Sequence, residues 1–256
     1  MAGLDIRYVG GPTSVLGIGG VQLLVDPTFD APGDYPIGSR VLTKTTGPAV
    51  AREAIGPVDA VLLSHDQHPD NLDTSGRALL AEVPLVLSTR SAEERVGGTV
   101  RALPNWERVD LPRPDGGVLT VTGVPAQHGP DGSDDVVGEV TGFVLSGEGL
   151  PTVYVSGDNA SLDVVRAVAD RLGPFDVALL FAGAAMTPLV PDAPLTLTSQ
   201  DAAEAARILG ARDVVPVHFE HWAHFTQDGD ALEVAFAAAG LADRLHRLKP
   251  GGTITL

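Results

Sequence analysis

Four short apolar runs in this chain are each followed at once by metal-binding residue types, and that recurrence constrains the fold more than any other feature. Val58 to Leu63 leads into Ser64-His65-Asp66-Gln67-His68-Pro69-Asp70-Asn71, and Val118 to Val124 leads to Gln127-His128. Thr152 to Val155 leads to Gly157-Asp158-Asn159, and Val214 to Val217 leads to His218. Runs of this length bounded by polar turns read as buried strands. If neighbouring runs share a sheet, their C-terminal ends form one edge, and the side chains that follow converge there. Taken singly, His128 or His218 also reads as a hydrogen-bonded loop residue, and Asp158 or Asn159 as a cap for a helix beginning near Ser161. The His65-x-x-His68-x-Asp70 cluster resists that reading, because it packs two imidazoles and a carboxylate into one turn just after a strand.

The rest of the chain supports a mixed architecture. Asp5 to Val9, Ser14 to Ile18 and Val21 to Val25 are short alternating runs, and Gly19-Gly20 between the last two predicts a two-residue hairpin, since both glycines accept positive φ. The strand, G-x-G-x-x-G and helix order of a dinucleotide site is absent. Residues 28 to 46, with Pro32, Gly33, Pro36 and Gly38, read as a long surface loop. Further strand-like runs are Leu85 to Ser88, Gly142 to Leu145, Asp176 to Phe181 and Thr253 to Leu256. Helical spacing marks Ser161 to Leu172, capped by Ser161, then Gln200 to Leu209, capped by Ser199, and Asp230 to Ala239, ended by Gly240. No repeat or linker divides the chain, so one α+β domain over residues 1–256 is the expectation.

Composition narrows the chemistry. With no cysteine among 256 residues, a disulfide framework, thiolate-ligated zinc, an iron-sulfur cluster and a thiolate nucleophile are excluded, leaving His, Asp, Glu or Asn to hold any metal. The charge is 17 − 33 = −16, and no basic cluster is present to displace counterions from nucleic acid or to seek an anionic membrane. Met1 to Gly11 lacks the pattern of a targeting peptide, and no apolar window approaches the ~20 residues of a span. A cytoplasmic protein acting on a small molecule is expected, with neither nucleic acid nor membrane as partner and a homo-oligomer left open.

At these residues the sequence resembles the metallo-beta-lactamase superfamily, specifically the branch of metal-dependent hydrolases similar to L-ascorbate-6-phosphate lactonase. The resemblance runs from Ile6-Arg7-Tyr8-Val9-Gly10 through Leu24-Val25-Asp26-Pro27 to Val215-Pro216-Val217-His218. The family's order of an early Asp, an H-x-H-x-D-H cluster, a lone His, a lone Asp and a final His is met by Asp26, the cluster at His65, His128, Asp158 and His218. The resemblance implies a four-layer αββα sandwich (the metallo-beta-lactamase fold) with a dinuclear metal site at one edge. It places His65, His68 and His128 on a first metal, Asp158 as the bridge, Asp70 and His218 on a second, and Asp26 behind the ligands, orienting them.

The cluster departs from the family pattern. It has one residue more between its first two histidines, and Asn71 stands where the family has its last His. The extra residue also permits an alignment in which Asp66 replaces His65. Asn71 offers a carbonyl oxygen, a weaker ligand than imidazole for zinc, so the second position is expected to be weak, empty or filled by a harder ion such as manganese. One or two divalent ions, zinc or manganese, are the implied cofactor.

A divalent metal lowers the pKa of coordinated water from 15.7 toward ~7, which supplies a nucleophile without serine or cysteine. The expected function is hydrolysis of an ester-like bond, with a lactone or small phosphoester favoured, Asp70 orienting the water or accepting its proton, and His224 in the pocket. Pocket walls are expected from Thr28 to Arg40, Gly129 to Asp135, Ala184 to Thr187 and Phe219 to Phe225. In the last, His221 reads as a surface residue and Trp222 as core. Asp73 and Arg77 read as an exposed i, i+4 ion pair, and Glu93, Glu94 and Arg95 as a solvated face. The competing readings are a superfamily nuclease, against which the charge argues, a phospholipase-like member, which needs an apolar membrane-facing patch that the sequence does not display, and a metal-depleted, non-enzymatic binding protein.

Overall fold

The computed structural model describes residues 3–38 and 40–256; Met1, Ala2 and Ser39, which fall in the N-terminal reading and in the Thr28 to Arg40 wall, lie outside the described residues. In chain order the strands are β1 (Leu4–Gly10), β2 (Thr13–Ile18), β3 (Val21–Val25), β4 (Gly33–Ile37), β5 (Arg40–Lys44), β6 (Ala60–Leu62), β7 (Val86–Ser88), β8 (Val100–Ala102), β9 (Arg108–Pro112), β10 (Val118–Pro125), β11 (Thr141–Ser146), β12 (Val153–Val155), β13 (Val177–Phe181), β14 (Asp213–Val217) and β15 (Thr253–Thr255). The α-helices are α1 (Thr74–Leu80), α2 (Arg90–Val96), α3 (Asp134–Val137), α4 (Leu162–Leu172), α5 (Ser199–Leu209) and α6 (Gly229–Ala238). None is long and apolar enough to cross a membrane.

One sheet runs β15-β1-β2-β3-β6-β7-β8 and a second runs β14-β13-β12-β11-β10-β9. In the first, β3, β6, β7 and β8 are parallel; in the second, β12, β13 and β14 are parallel. The antiparallel steps from β10 through β11 to β12 leave β10 pointing the same way as β12.

Side-chain alternation builds the layers. Leu23, Leu62, Val121 and Leu179 join one buried cluster that draws on both sheets, so this core lies between them. Their neighbours point the other way. Leu24 and Val61 pack with Leu79 and Leu80 of α1 and Ala92 of α2, and Ala178 and Val214 pack with α4, α5 and α6 through Val165, Ala206 and Phe236. Helices cover both outer faces, which is the order α, β, β, α. Strands buried on both faces read as continuous apolar runs, which is why the central strands stand out in the sequence.

Local signals set the boundaries. Gly19 and Gly20 take φ of 58° and 81°, closing the β2–β3 hairpin. Ser161 caps α4 through the Val164 amide. The cap of α5 is Thr198 rather than Ser199, whose place is the first turn; Asp228 caps α6.

Residues 28 to 46 are not a plain loop. They contain the β4–β5 hairpin, a two-stranded sheet apart from the two main ones. Asp73 does not pair with Arg77: one of its oxygens caps α1 at the Gly76 amide, and the other accepts from Asp30 N and from Lys44 Nζ at 3.0 Å. The Lys44–Asp73 pair is sealed from solvent, with Lys44 Nζ 5.5 Å from the centre of the Trp222 ring. Trp222 is buried as expected. Gly76 allows α1 to sit on the backbone after β3, since a Cβ there would fall 1.8 Å from Pro27 O.

Candidate metal centre

The site forms where the carboxyl ends of both sheets meet. Asp26 follows β3, the His65 to Asn71 turn follows β6, His128 follows β10, Asp158 follows β12 and His218 follows β14. The backbone is strained here: Asp26 and His218 are non-glycine residues at φ of 36° and 57°, conformations that carry a cost of about 1–3 kcal/mol each and concentrate at functional sites. Gly157, at φ 56°, gives Asp158 its entry, because a Cβ there would lie 2.5 Å from Thr141 O.

Two groups of ligand atoms result. His65, His68 and His128 form one, and Asp70, Asp158 and His218 the other, each with its atoms within 4.8 Å of one another. His128 Nε2 lies 3.8 Å from Asp158 Oδ2, so Asp158 stands between the groups. Ligands about 2.0–2.1 Å from a shared tetrahedral ion are ~3.3 Å apart, which makes the spacing suitable for a metal.

The hydrogen bonds behind the histidines decide which nitrogen each presents. Ser64 Oγ donates to Asp26 Oδ2, so it accepts from His65 Nδ1 at 2.9 Å and leaves His65 Nε2 as an acceptor, 2.9 Å from His68 Nδ1. His128 Nδ1 donates to Leu195 O at 2.8 Å, leaving Nε2. His218 Nε2 donates to Asp70 Oδ2 at 3.2 Å, leaving Nδ1. These tautomers are assigned from the network. His128 Nε2, His218 Nδ1, Asp70 Oδ1 and Asp158 Oδ2 are buried with no hydrogen-bond partner. A buried polar atom without a partner is costly, and a divalent ion satisfies this set. The residues fit the group.

Asn71 lies among these donors with its amide nitrogen turned to carboxylates: Nδ2 donates to Asp26 Oδ2 at 3.1 Å and to Asp158 Oδ1 at 3.2 Å. Its Oδ1 is buried without a partner. The alignment that put Asp66 in place of His65 is corrected. Asp66 turns away to Arg95 and Arg77, so Arg95 belongs to an ion pair and not to an unengaged solvated face. His221 is also corrected: it is buried, at φ 75°, with its ring over Gly10, where a Cβ would fall 2.2 Å from Cε1. His224 Nε2 lies 3.0 Å from Asp70 Oδ2, and His224 Nδ1 has no partner.

Burial shapes the ionisation. It pushes His128 down to about 3, reinforced by His68, and lowers His65, His68 and His218. Neutral imidazole is the ligating form. Burial, with Asp70 adding repulsion, raises Asp158 well above the carboxylate range and lifts Asp26 to about 7 against the pull of Ser64. For Asp70, burial works upward, but His224 and His218 outweigh it and hold the carboxyl well below its usual value. Carboxyls driven in opposite directions within one site mark a place where a cation changes the balance.

A cavity of about 20 Å³ lies over His68, Asp70, His128, Asp158 and His224, walled by Ile37, Arg40 and Leu42 of the β4–β5 hairpin and by Ala185, Met186, Thr187 and Leu195. Gly129 to Asp135 contributes no wall. Leu42 and Leu195 were not expected; the only local signal for either is an apolar residue in a polar stretch.

The profile described as the beta-lactamase superfamily domain matches residues 22–219. A UPF0173 metal-dependent hydrolase from Rubrobacter xylanophilus is 29% identical over 271 aligned residues, covering 98% of this chain and 96% of that one. Two solved structures share the fold: a possible metal-dependent hydrolase from Veillonella parvula, with TM-score 0.83 at 17% identity over 98% and 99% of the chains, and isothiocyanate hydrolase from Delia radicum gut bacteria, with TM-score 0.81 at 21% identity over 98% of each.

Proposed function

This chain belongs to the metallo-beta-lactamase superfamily, and from that premise we propose that it is a metal-dependent hydrolase of small ester-like substrates, lactones or phosphoesters, in the lactonase-like branch. The observation that carries this reading is the convergence of buried, unpartnered ligand atoms from His128, Asp158, Asp70 and His218 at one edge. Full-length similarity to a relative named a metal-dependent hydrolase supports it. His65, His68 and His128 would hold one ion, Asp70 and His218 a second, with Asp158 between them. Zinc suits the imidazole group, and manganese the carboxylate-rich one; Asn71, whose amide nitrogen faces Asp158, would have to turn its amide to serve as a ligand.

A bound divalent ion supplies a water of lowered pKa and polarises the oxygen of the scissile group. The chain's residues do the rest. Asp70 Oδ2 accepts from His224 Nε2, which leaves the Nδ1 lone pair of His224 to take a proton from the attacking water and return it to the leaving oxygen. His218, on the same carboxylate oxygen, fixes the direction of that dyad. The apolar walls Ile37, Leu42, Met186 and Leu195 exclude bulk water from the cleft.

Elemental analysis of protein purified from metal-replete cells tests the reading, with His68→Ala and Asp158→Ala beside the wild type. One or two equivalents per chain are expected, lowered in both variants. A metal-free wild type overturns the hydrolase and favours a binding protein on this fold. Lactone and phosphodiester panels then separate the substrate classes.

A further inference from the structure

The roof of the cavity carries a cation without an anion. Arg40, at the start of β5, donates from one guanidinium nitrogen to Thr187 Oγ1 at 2.7 Å, across the mouth of the site. Among the described residues it is the one Lys or Arg in the cavity wall. Arg52, Arg77, Arg95, Arg113, Arg166, Arg207, Arg212 and Arg247 pair with carboxylates; among the described residues Arg40 is one of seven arginines that do not, and of those seven it alone lines the cavity. Asp70 and Asp158 line the same cavity, but Arg40 bonds to the threonine and pairs with neither.

Thr187 is buried, and its Oγ1 accepts from the Leu189 amide as well as from Arg40. With its acceptor capacity engaged, its own hydroxyl proton is left to donate. The guanidinium fork and this hydroxyl together offer what a carboxylate or phosphate needs, a planar pair of N–H donors and an O–H. At about 20 Å³ the cavity holds no more than about a water molecule, so its wall must move for a substrate to enter, and where Arg40 parts from Thr187 an anion on the substrate replaces the bond that is lost.

We infer that Arg40 and Thr187 select substrates that carry an oxyanion, carboxylate or phosphate, a few atoms from the bond that is cleaved. This rests on the hydrolase reading above, and the test separates the two. Metal-loaded wild type, Arg40→Gln, Arg40→Lys and Thr187→Val are compared on γ-hydroxymethyl-γ-butyrolactone, its phosphate ester, and γ-carboxy-γ-butyrolactone. The wild type is expected to favour one of the anionic lactones over the neutral one by roughly 10- to 100-fold in kcat/KM, the scale of a charge-assisted hydrogen bond. Which lactone gains identifies carboxylate or phosphate. In Arg40→Gln the ratio is expected to fall toward one, with Arg40→Lys intermediate and metal content equal to the wild type.

Calorimetric titration of the same proteins with glutarate and butyrate reads the subsite without turnover, since both ligands share one carboxylate and only glutarate brings a second. A wild type that prefers glutarate, with the preference lost in Arg40→Gln, supports the inference even if no lactone is cleaved. Equal affinity for the two acids with no preference among the lactones, or a preference that survives in Arg40→Gln, overturns it while the metal content leaves the hydrolase reading standing.

Discussion

His221 is held neutral by its surroundings, at about 4, by burial first and the nearby Lys44 charge second. An unfolded histidine titrates near 6.5. Between those values the unfolded chain binds a proton that the folded one refuses, so the contribution is fully present above pH 6.5 and is lost as pH falls through 4. We expect the wild type to lose about 2 kcal/mol more than His221→Asn between pH 7 and pH 4, read as the difference in urea midpoints with chelator in both samples. Asn is the replacement because it tolerates the positive φ. Single residues also show how far the sequence could be read. The convergence of His65, His68, Asp70, His128, Asp158 and His218 was legible because few side-chain types could serve a metal and each follows an apolar run. The choice between His65 and Asp66 was not, because it is made by Arg77 and Arg95, 11 and 29 residues further along.

At the scale of elements, the β4–β5 hairpin is tied down at its base by the buried Lys44–Asp73 pair, while the same carboxylate caps α1. Breaking one side of a sealed pair leaves an uncompensated charge, which costs about 3–5 kcal/mol. Lys44→Met is therefore expected to destabilise by about 3 kcal/mol, and adding Asp73→Asn to recover part of that loss, in a double-mutant cycle followed by urea unfolding. Gly76→Ala is expected to be worse tolerated than an exposed Gly→Ala change, since the added methyl meets the Pro27 backbone; its urea midpoint checks this. The hairpin was missed in the sequence because Gly33 to Ile37 lacks a buried face and carries Pro36, so apolar alternation had nothing to mark. Helices α1 and α2 escaped notice for another reason: each has seven residues, two turns, too few for a 3.6 period to show. The central strands were legible because both their faces are buried.

For the whole molecule, the αββα order followed from family resemblance and then from the way neighbouring side chains divide between the inner and outer clusters. Three of the 33 acidic residues behind the −16 charge, Asp26, Asp70 and Asp158, are buried at the site. An ion bound at ~1,000-fold above its Kd adds about 4 kcal/mol to the folded state. Chelation is accordingly expected to lower Tm by about 10 °C, and re-addition of zinc or manganese to restore it in scanning calorimetry. His65, His68 and Asp70 come from the first sheet, while His128, Asp158 and His218 come from the second. Neither half holds the donor set alone. During synthesis the ribosome releases His218 after the other five, so the second group, Asp70, Asp158 and His218, is the last to be completed. Under the hydrolase reading, capture of metal would require that both sheets have met, since each group draws on both of them, and a bound ion would be an inspection mark on a finished fold.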